Sequence, residues 1–157
     1  MSLQGIADTF NMSADVFVGL VRPILEHTIL EPVVSGCVAG MFGNPIGGVI
    51  FGGAAGVING IAMGILTSQA GYTTAAIILR RVLFIPLYFV TVPAAMALTN
   101  ALDFPMTLVN VCACTCAIFA ANILLEIGRV AFVAFVISSL QLSSSKAGIA
   151  VGMFAGI

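Results

Sequence analysis

Charged residues are scarce in this chain. Of its 157 residues, 61% are hydrophobic and 7% are charged, with five Lys and Arg against six Asp and Glu. Soluble domains carry about 25% charged residues, and so few charges cannot cover the surface of a soluble domain of this length. We therefore expect an all-α integral membrane protein that forms a single membrane domain over residues 1–157.

The chain also lacks the motifs of several function classes. It has no basic patch, so we expect no nucleic-acid partner. It has no H-E-x-x-H, G-x-S-x-G, P-loop or C-x-x-C motif, so we expect neither an enzyme nor a cofactor. The first residues have no basic start and apolar core, and we therefore expect no secretory signal.

The cysteines do not form a recognisable metal or disulfide motif. Cys37, Cys112, Cys114 and Cys116 all lie in apolar segments, where a free cysteine behaves as a small hydrophobe. On a helix, Cys112 and Cys116 share a face and Cys114 points almost oppositely. Since no histidine or further cysteine cluster completes a tetrahedral set, we expect no metal site.

Glycine, by contrast, recurs at every fourth position through one uncharged stretch, and only Asn44 interrupts the series. Water-soluble helices avoid this pattern because each interior glycine costs roughly 0.5–1 kcal/mol relative to alanine. In a bilayer, small residues four apart let helices approach closely, and the pattern predicts a glycine-zipper span that packs against a partner helix. The main series and its C-terminal echo are Gly36, Gly40, Gly48, Gly52, Gly56, Gly60 and Gly64, followed by Gly148, Gly152 and Gly156.

The glycine ridge does not run straight along its helix. Each four-residue step advances about 40° around an α-helix, so the ridge from Gly48 to Gly64 winds through about 160°. Such a ridge can serve more than one neighbouring helix. The alternative to helix packing is that it shapes a pore or a translocation groove.

The uncharged stretch is too long for one straight span. Residues 33–66 would measure about 51 Å as one helix, against a hydrocarbon core of about 30 Å. We expect Asn44-Pro45 to divide it into a first transmembrane helix over 46–66 and a kinked or re-entrant piece over 33–43.

Further apolar segments predict three or four transmembrane helices in all. The second span is expected at 82–99 and the third at 106–125. Residues 130–157 are a possible fourth, broken span, because the polar run Ser143-Ser144-Ser145-Lys146 interrupts them.

An amphipathic helix is expected before the first span, over residues 13–31. Asp15, Arg22 and Glu26 fall on one of its faces, and apolar residues cover much of the rest. Such a helix lies in the headgroup plane or docks on a neighbouring subunit. His27, the single histidine, is expected at the surface.

Arg80 and Arg81 precede the second predicted span. Adjacent arginines at a helix end usually anchor it at the lipid headgroups. The functional alternative is a binding site for the headgroup of an anionic lipid.

Glu126 and Arg129 are three residues apart and can pair on one helical face. If the third span ends at Leu125, they are interfacial charges. If the helix instead runs over 117–138, they lie near the bilayer centre as an intramembrane ion pair, a candidate ion or proton path.

The repeated G-x-x-x-G in the first span of a small, roughly four-helix protein resembles the inner-membrane protein-import translocases of mitochondria. The likeness covers Gly36 to Gly64 and Gly148 to Gly156. The Asn44-Pro45 interruption and the weak fourth span depart from that plan. The resemblance implies a component of a protein translocase.

The function expected first is that of a non-catalytic, accessory subunit of a multi-subunit membrane complex. Its partners are the lipid bilayer and other membrane subunits, packed through the G-x-x-x-G faces. The alternative is a small channel, transporter or translocase component. Composition favours the mitochondrial inner membrane or another energy-transducing membrane.

Overall fold

The computed structural model describes residues 21–70 and 74–140, which form four helices. No strand occurs in these two ranges, and the all-α prediction is confirmed there. The segments Pro45–Leu66 and Leu108–Leu125 are long and apolar enough to cross a membrane, and Ile85–Ala101 is a shorter apolar stretch. The helices are α1 (Arg22–Met41), α2 (Pro45–Ala70), α3 (Thr74–Ala101) and α4 (Leu108–Leu140).

The first helix runs further than the sequence predicts. It has Pro23 in its first turn and continues through Pro32 to Met41, beyond the predicted end at residue 31. Proline removes one backbone donor, and α1 continues through Pro32 while packed along α2. Residues 33–41 are thus part of α1, while the stretch 13–20 of the predicted amphipathic helix lies outside the described residues.

A tight turn separates α1 from α2 at the division that the sequence predicts. Gly43 has a φ of 80°, which glycine adopts without strain, and its N–H donates to the Gly40 carbonyl at 3.1 Å. The Asn44 side-chain oxygen accepts from the Gly47 N–H at 3.0 Å. Asn44 therefore caps the N-terminus of α2, and Pro45 occupies the first helical position, where its missing N–H costs nothing.

The loop between α3 and α4 lies at the same end of the molecule as this turn. Asp103 has a φ of 62°, and the Phe104 N–H donates to the Thr99 carbonyl at 2.9 Å. The Asn44 side-chain N–H donates to the Pro105 carbonyl at 3.1 Å. This hydrogen bond joins the two connections.

The helices α1 and α2 pack antiparallel along most of their length. Gly48 lies against Ser35 near the turn, and Gly60 lies against Ile24 at the far end. α2 also packs against α3, and α1 against α4, whereas α4 makes few contacts with α2 or α3.

The fourth helix does not end where the third span was predicted to end. It continues past Leu125, through Glu126 and Arg129, to Leu140. At 1.5 Å per residue it is about 50 Å long. Residues 130–140 therefore continue α4 without a break, and residues 141–157 lie outside the described residues.

The polar face of α1 points inward and its apolar face points outward. Residues four apart on one side are buried, although they include a carboxyl, an imidazole and a hydroxyl. Residues four apart on the other side are large, apolar and about half exposed or more. The buried set is His27, Glu31 and Ser35, and the exposed set is Leu25 (49%), Ile29 (64%) and Val33 (59%). The expectation that His27 lies at the surface is wrong.

Candidate functional site, a buried polar network

Glu31 of α1 is the centre of a buried polar network. Its side chain is fully buried, and the Asn59 side-chain N–H₂ of α2 donates to both of its carboxyl oxygens at 3.0 Å. One turn away on α1, Nδ1 of His27 lies 2.7 Å from Oε1 of Glu31. A buried carboxylate is costly unless hydrogen bonds surround it, and these contacts satisfy that requirement.

A third helix completes the network. The Thr91 hydroxyl of α3 donates to the Asn59 side-chain oxygen at 3.0 Å, and both residues are fully buried. This contact fixes the orientation of the Asn59 amide, so that its nitrogen faces the carboxyl group. We call His27, Glu31, Asn59 and Thr91 the Glu31 network. It joins α1, α2 and α3 with side chains alone.

Ser35 makes a second polar junction one turn further along α1. Its buried hydroxyl lies 2.6 Å from the Glu31 carbonyl and 2.7 Å from the Gly48 carbonyl of α2. The Cys114 thiol of α4 donates to the Ser35 carbonyl at 3.5 Å. Polar contacts thus connect α1 to α2 and to α4.

Tyr88 and Asn122 extend the polar region towards α4. The Tyr88 hydroxyl lies within reach of the charge of Glu31 and of a hydrogen bond with the Asn122 side chain. The Tyr88 ring packs edge-on against Phe119 of α4, with centroids 6.3 Å apart. Such edge-to-face pairs are favourable, and this one positions the Tyr88 ring between the Glu31 network and α4.

The glycines of α2 bring its backbone onto α1 at the network. A Cβ on Gly52 would overlap the Glu31 carbonyl and the Ser35 hydroxyl, and one on Gly56 would overlap the His27 carbonyl. The absence of side chains at these two positions lets Asn59 reach Glu31 directly. The spacing of four on both helices keeps glycine and polar positions in register.

The other predicted packing glycines differ in their surroundings. A Cβ on Gly36 would lie 2.7 Å from Val49, and one on Gly60 would lie 2.8 Å from the Ile24 backbone. Gly64 is buried and Gly40 is exposed. The predicted C-terminal glycines lie outside the described residues; they are Gly148, Gly152 and Gly156.

The structure gives only the backbone positions of the predicted charged sites. Arg80 and Arg81 lie in the first half of α3, and Glu126 and Arg129 lie inside α4. Their side chains are not among those described. The lipid-headgroup site and the intramembrane ion pair therefore stay predictions.

The cysteines of α4 are arranged as the helical periodicity predicts. Cys114 is buried, and Cys112 and Cys116 are exposed. Within residues 21–70 and 74–140, no three His, Cys, Asp or Glu side chains are grouped to hold a metal ion.

The Glu31 network is not among the sites that the sequence predicts. Its signal is present in part, because His27 and Glu31 are four residues apart and share one helical face. Asn59 is also a lone amide within an otherwise apolar and glycine-rich segment. Comparisons with protein-family models, curated proteins and solved structures found no match.

Proposed function

We propose that the chain is an integral membrane protein that acts as a non-catalytic subunit of a larger membrane assembly. The observation that carries the membrane proposal is the inverted pattern of α1, with Glu31 fully buried and Ile29 64% exposed. In water this arrangement would expose apolar surface and desolvate a carboxyl group. In a bilayer the same arrangement is favourable, because the exposed apolar side chains contact lipid and the polar side chains lie in the interior of the helix bundle.

The lengths of the helices are consistent with this proposal. The 20 residues of α1 span about 30 Å, which equals the hydrocarbon thickness of a bilayer. α2 and α4 each contain a segment able to cross, and the apolar part of α3 is slightly shorter. We therefore propose three or four crossings, among which α1 is a spanning helix and not an interfacial one.

Placing a charge on the exposed face of α1 tests the membrane proposal. If Ile29 faces lipid, Ile29→Lys costs about 2.5–3.5 kcal/mol of insertion free energy, as lysine does at the centre of a spanning helix. If Ile29 faces water, the substitution is nearly neutral. Membrane insertion and thermal unfolding of the variant are compared with those of Ile29→Leu, and a neutral Ile29→Lys overturns the proposal.

The surface of α4 supports the proposal of a subunit. Its exposed side chains include Val109 (64%), Leu124 (66%) and Phe135 (67%), and it packs chiefly on α1. The α2 ridge from Gly48 to Gly60 already lies against α1. Neighbouring subunits would therefore use α4 and not that ridge.

Co-purification tests the subunit role. The protein is extracted from its native membrane in mild detergent, separated on a native gel, and its companions are identified by mass spectrometry. We expect stable co-migration with other membrane chains. A protein that runs as a stable monomer and remains functional alone contradicts the proposal.

The Glu31 network favours a second candidate function, that of a small channel, transporter or translocase component. Ionisable groups buried within spanning helices often mark ion or proton paths. Flux through liposomes that contain only this protein, lost in Glu31→Gln and retained in Glu26→Gln, would support this function. An absence of flux in the wild-type protein contradicts it.

The identity of the membrane in which the protein resides stays a prediction from the sequence. We propose that the protein resides in the mitochondrial inner membrane or in another energy-transducing membrane. We also propose that Arg80 and Arg81 bind an anionic lipid. Fractionation of the source cells and lipid analysis of the purified protein would test them.

A further inference from the structure

We propose that Glu31 is a proton-binding site that is loaded through His27. Nδ1 of His27 and Oε1 of Glu31 are 2.7 Å apart, a distance that allows a proton to pass between them. The Glu31 side chain has no exposed surface, whereas 11% of the His27 side chain is exposed. His27 also lies one turn nearer the start of α1 than Glu31. The imidazole is therefore the member of the pair through which a proton arriving from that end of the helix reaches the carboxylate.

The loading step uses both nitrogens of the imidazole. In the unloaded state Nδ1–H donates to the Glu31 carboxylate, and the pair carries one negative charge. A proton from water binds Nε2, the Nδ1–H bond breaks, and its proton forms an Oε1–H bond. The imidazole is neutral again as the other tautomer, and the pair has no net charge. No oxidation or reduction occurs.

The remainder of the Glu31 network satisfies both states. When Oε1 is protonated, its O–H donates to Nδ1, and Oε2 still accepts from Asn59. Thr91 holds the Asn59 side-chain oxygen at 3.0 Å in either state. No buried polar group of the network therefore loses its partner when the proton arrives, which permits loading without separation of the helices.

Other titratable groups surround the pair. On α1, Arg22 and Glu26 form an ion pair at 2.8 Å, which is nearer the start of the helix. The charge of Glu31 acts on the Tyr88 hydroxyl of α3, and the Cys114 thiol of α4 donates a hydrogen bond to the Ser35 carbonyl. Among the described side chains of α2, the neutral Asn59 is the one that takes part in the network. His27 is the described titratable group that is hydrogen-bonded to the Glu31 carboxyl.

The single histidine makes the tautomer directly measurable. Protein labelled with ¹⁵N-histidine is reconstituted in lipid bilayers, and its two ring nitrogens are followed by NMR as the pH falls. We expect a neutral imidazole that switches from Nδ1–H to Nε2–H as Glu31 becomes protonated. An unchanged tautomer, or a doubly protonated imidazole beside an ionised Glu31, overturns the proposal in the wild-type protein without any substitution.

Infrared spectroscopy after a pH jump tests the route. We expect the C=O band of protonated Glu31 to appear in the wild type, to vanish in Glu31→Gln, and to persist in Glu26→Gln. In His27→Gln, which keeps a polar side chain but has no titratable nitrogen, the band should appear more slowly by on the order of 100-fold. An unchanged rate in His27→Gln, or a band retained in Glu31→Gln, contradicts the proposal. The outcome does not depend on whether the chain assembles with others or transports anything.

Discussion

The α1–α2 pair and the α4 helix are built in opposite ways. The α1–α2 interface combines glycines in backbone contact with buried polar side chains, among them Gly52 against Glu31. Helix α4 is longer, at 33 residues, yet it contributes little to the packing of α2 or α3 and exposes large apolar side chains such as Phe135.

The difference separates two ways of using an apolar sequence. In lipid there is no hydrophobic gain from bringing two leucine-covered helices together, so tight pairing needs close backbones and hydrogen bonds. α1 and α2 have both. α4 has few of either, and under the membrane proposal its surface is therefore left for lipid or for other subunits.

Filling the α1–α2 interface should produce the largest effect. Gly52→Leu places a side chain on the Glu31 carbonyl and the Ser35 hydroxyl. Because backbone cannot move as a side chain can, we expect a loss of about 3 kcal/mol or more, at or above the upper range for overpacking. Thermal unfolding in detergent and protection from proteolysis measure this loss.

The neighbouring position provides the control. A Cβ on Gly53 meets nothing within 4 Å. Gly53→Leu therefore introduces the same side chain into the same helix without a contact with α1. Equal destabilisation of the two variants would show that glycine is needed on α2 for a reason other than its contact with α1.

Removing the amide of Asn59 should have the next largest effect. Asn59→Leu leaves the buried Glu31 carboxylate without the donor that reaches both of its oxygens, and we expect a loss of about 2–3 kcal/mol. The double variant Glu31→Leu/Asn59→Leu has no orphaned charge and should be more stable than the sum of the single variants predicts. Additive losses would mean that the two side chains do not interact.

The two regions also differ in how far the sequence predicts them. The division at Asn44-Pro45 follows from local chemistry, because an asparagine cap and a proline at the first position act within one turn. The spacing of Gly52 and Gly56 likewise indicates a close contact. It does not say which helix is the partner, since any close backbone would fit.

The Glu31 network depends on contacts that no local pattern contains. Asn59 is 28 residues from Glu31, and Thr91 is 32 residues from Asn59. The sequence shows three separate polar residues within apolar segments, and the fold brings them together. The sequence leaves the end of α4 open for a related reason, because the charges at Glu126 and Arg129 suggest the end of an apolar span, whereas a helix over 117–138 would continue through them.

Thr91→Val should have a moderate effect on the same interface. It removes the donor to the Asn59 oxygen and preserves the shape of the side chain, so we expect a loss of about 1 kcal/mol. Thr115 is the control on α4, because its hydroxyl bonds the Val111 carbonyl of its own helix at 2.8 Å. Denaturation of Thr115→Val should show a smaller change, and the reverse order would contradict the assignment of Thr91 to the network.

Truncation on the outer face of α4 should have the smallest effect on folding. Leu124 is 66% exposed, whereas Ile118 on the same helix is 1% exposed. We expect Leu124→Ala to change stability by less than about 0.5 kcal/mol, and Ile118→Ala to cost about 2–5 kcal/mol through the cavity that it leaves. Because the subunit proposal assigns this face to other chains, Leu124→Ala should weaken co-purification while unfolding stays unchanged. If recovery of companion chains is also unchanged, α4 faces lipid at this position and the partners contact another surface.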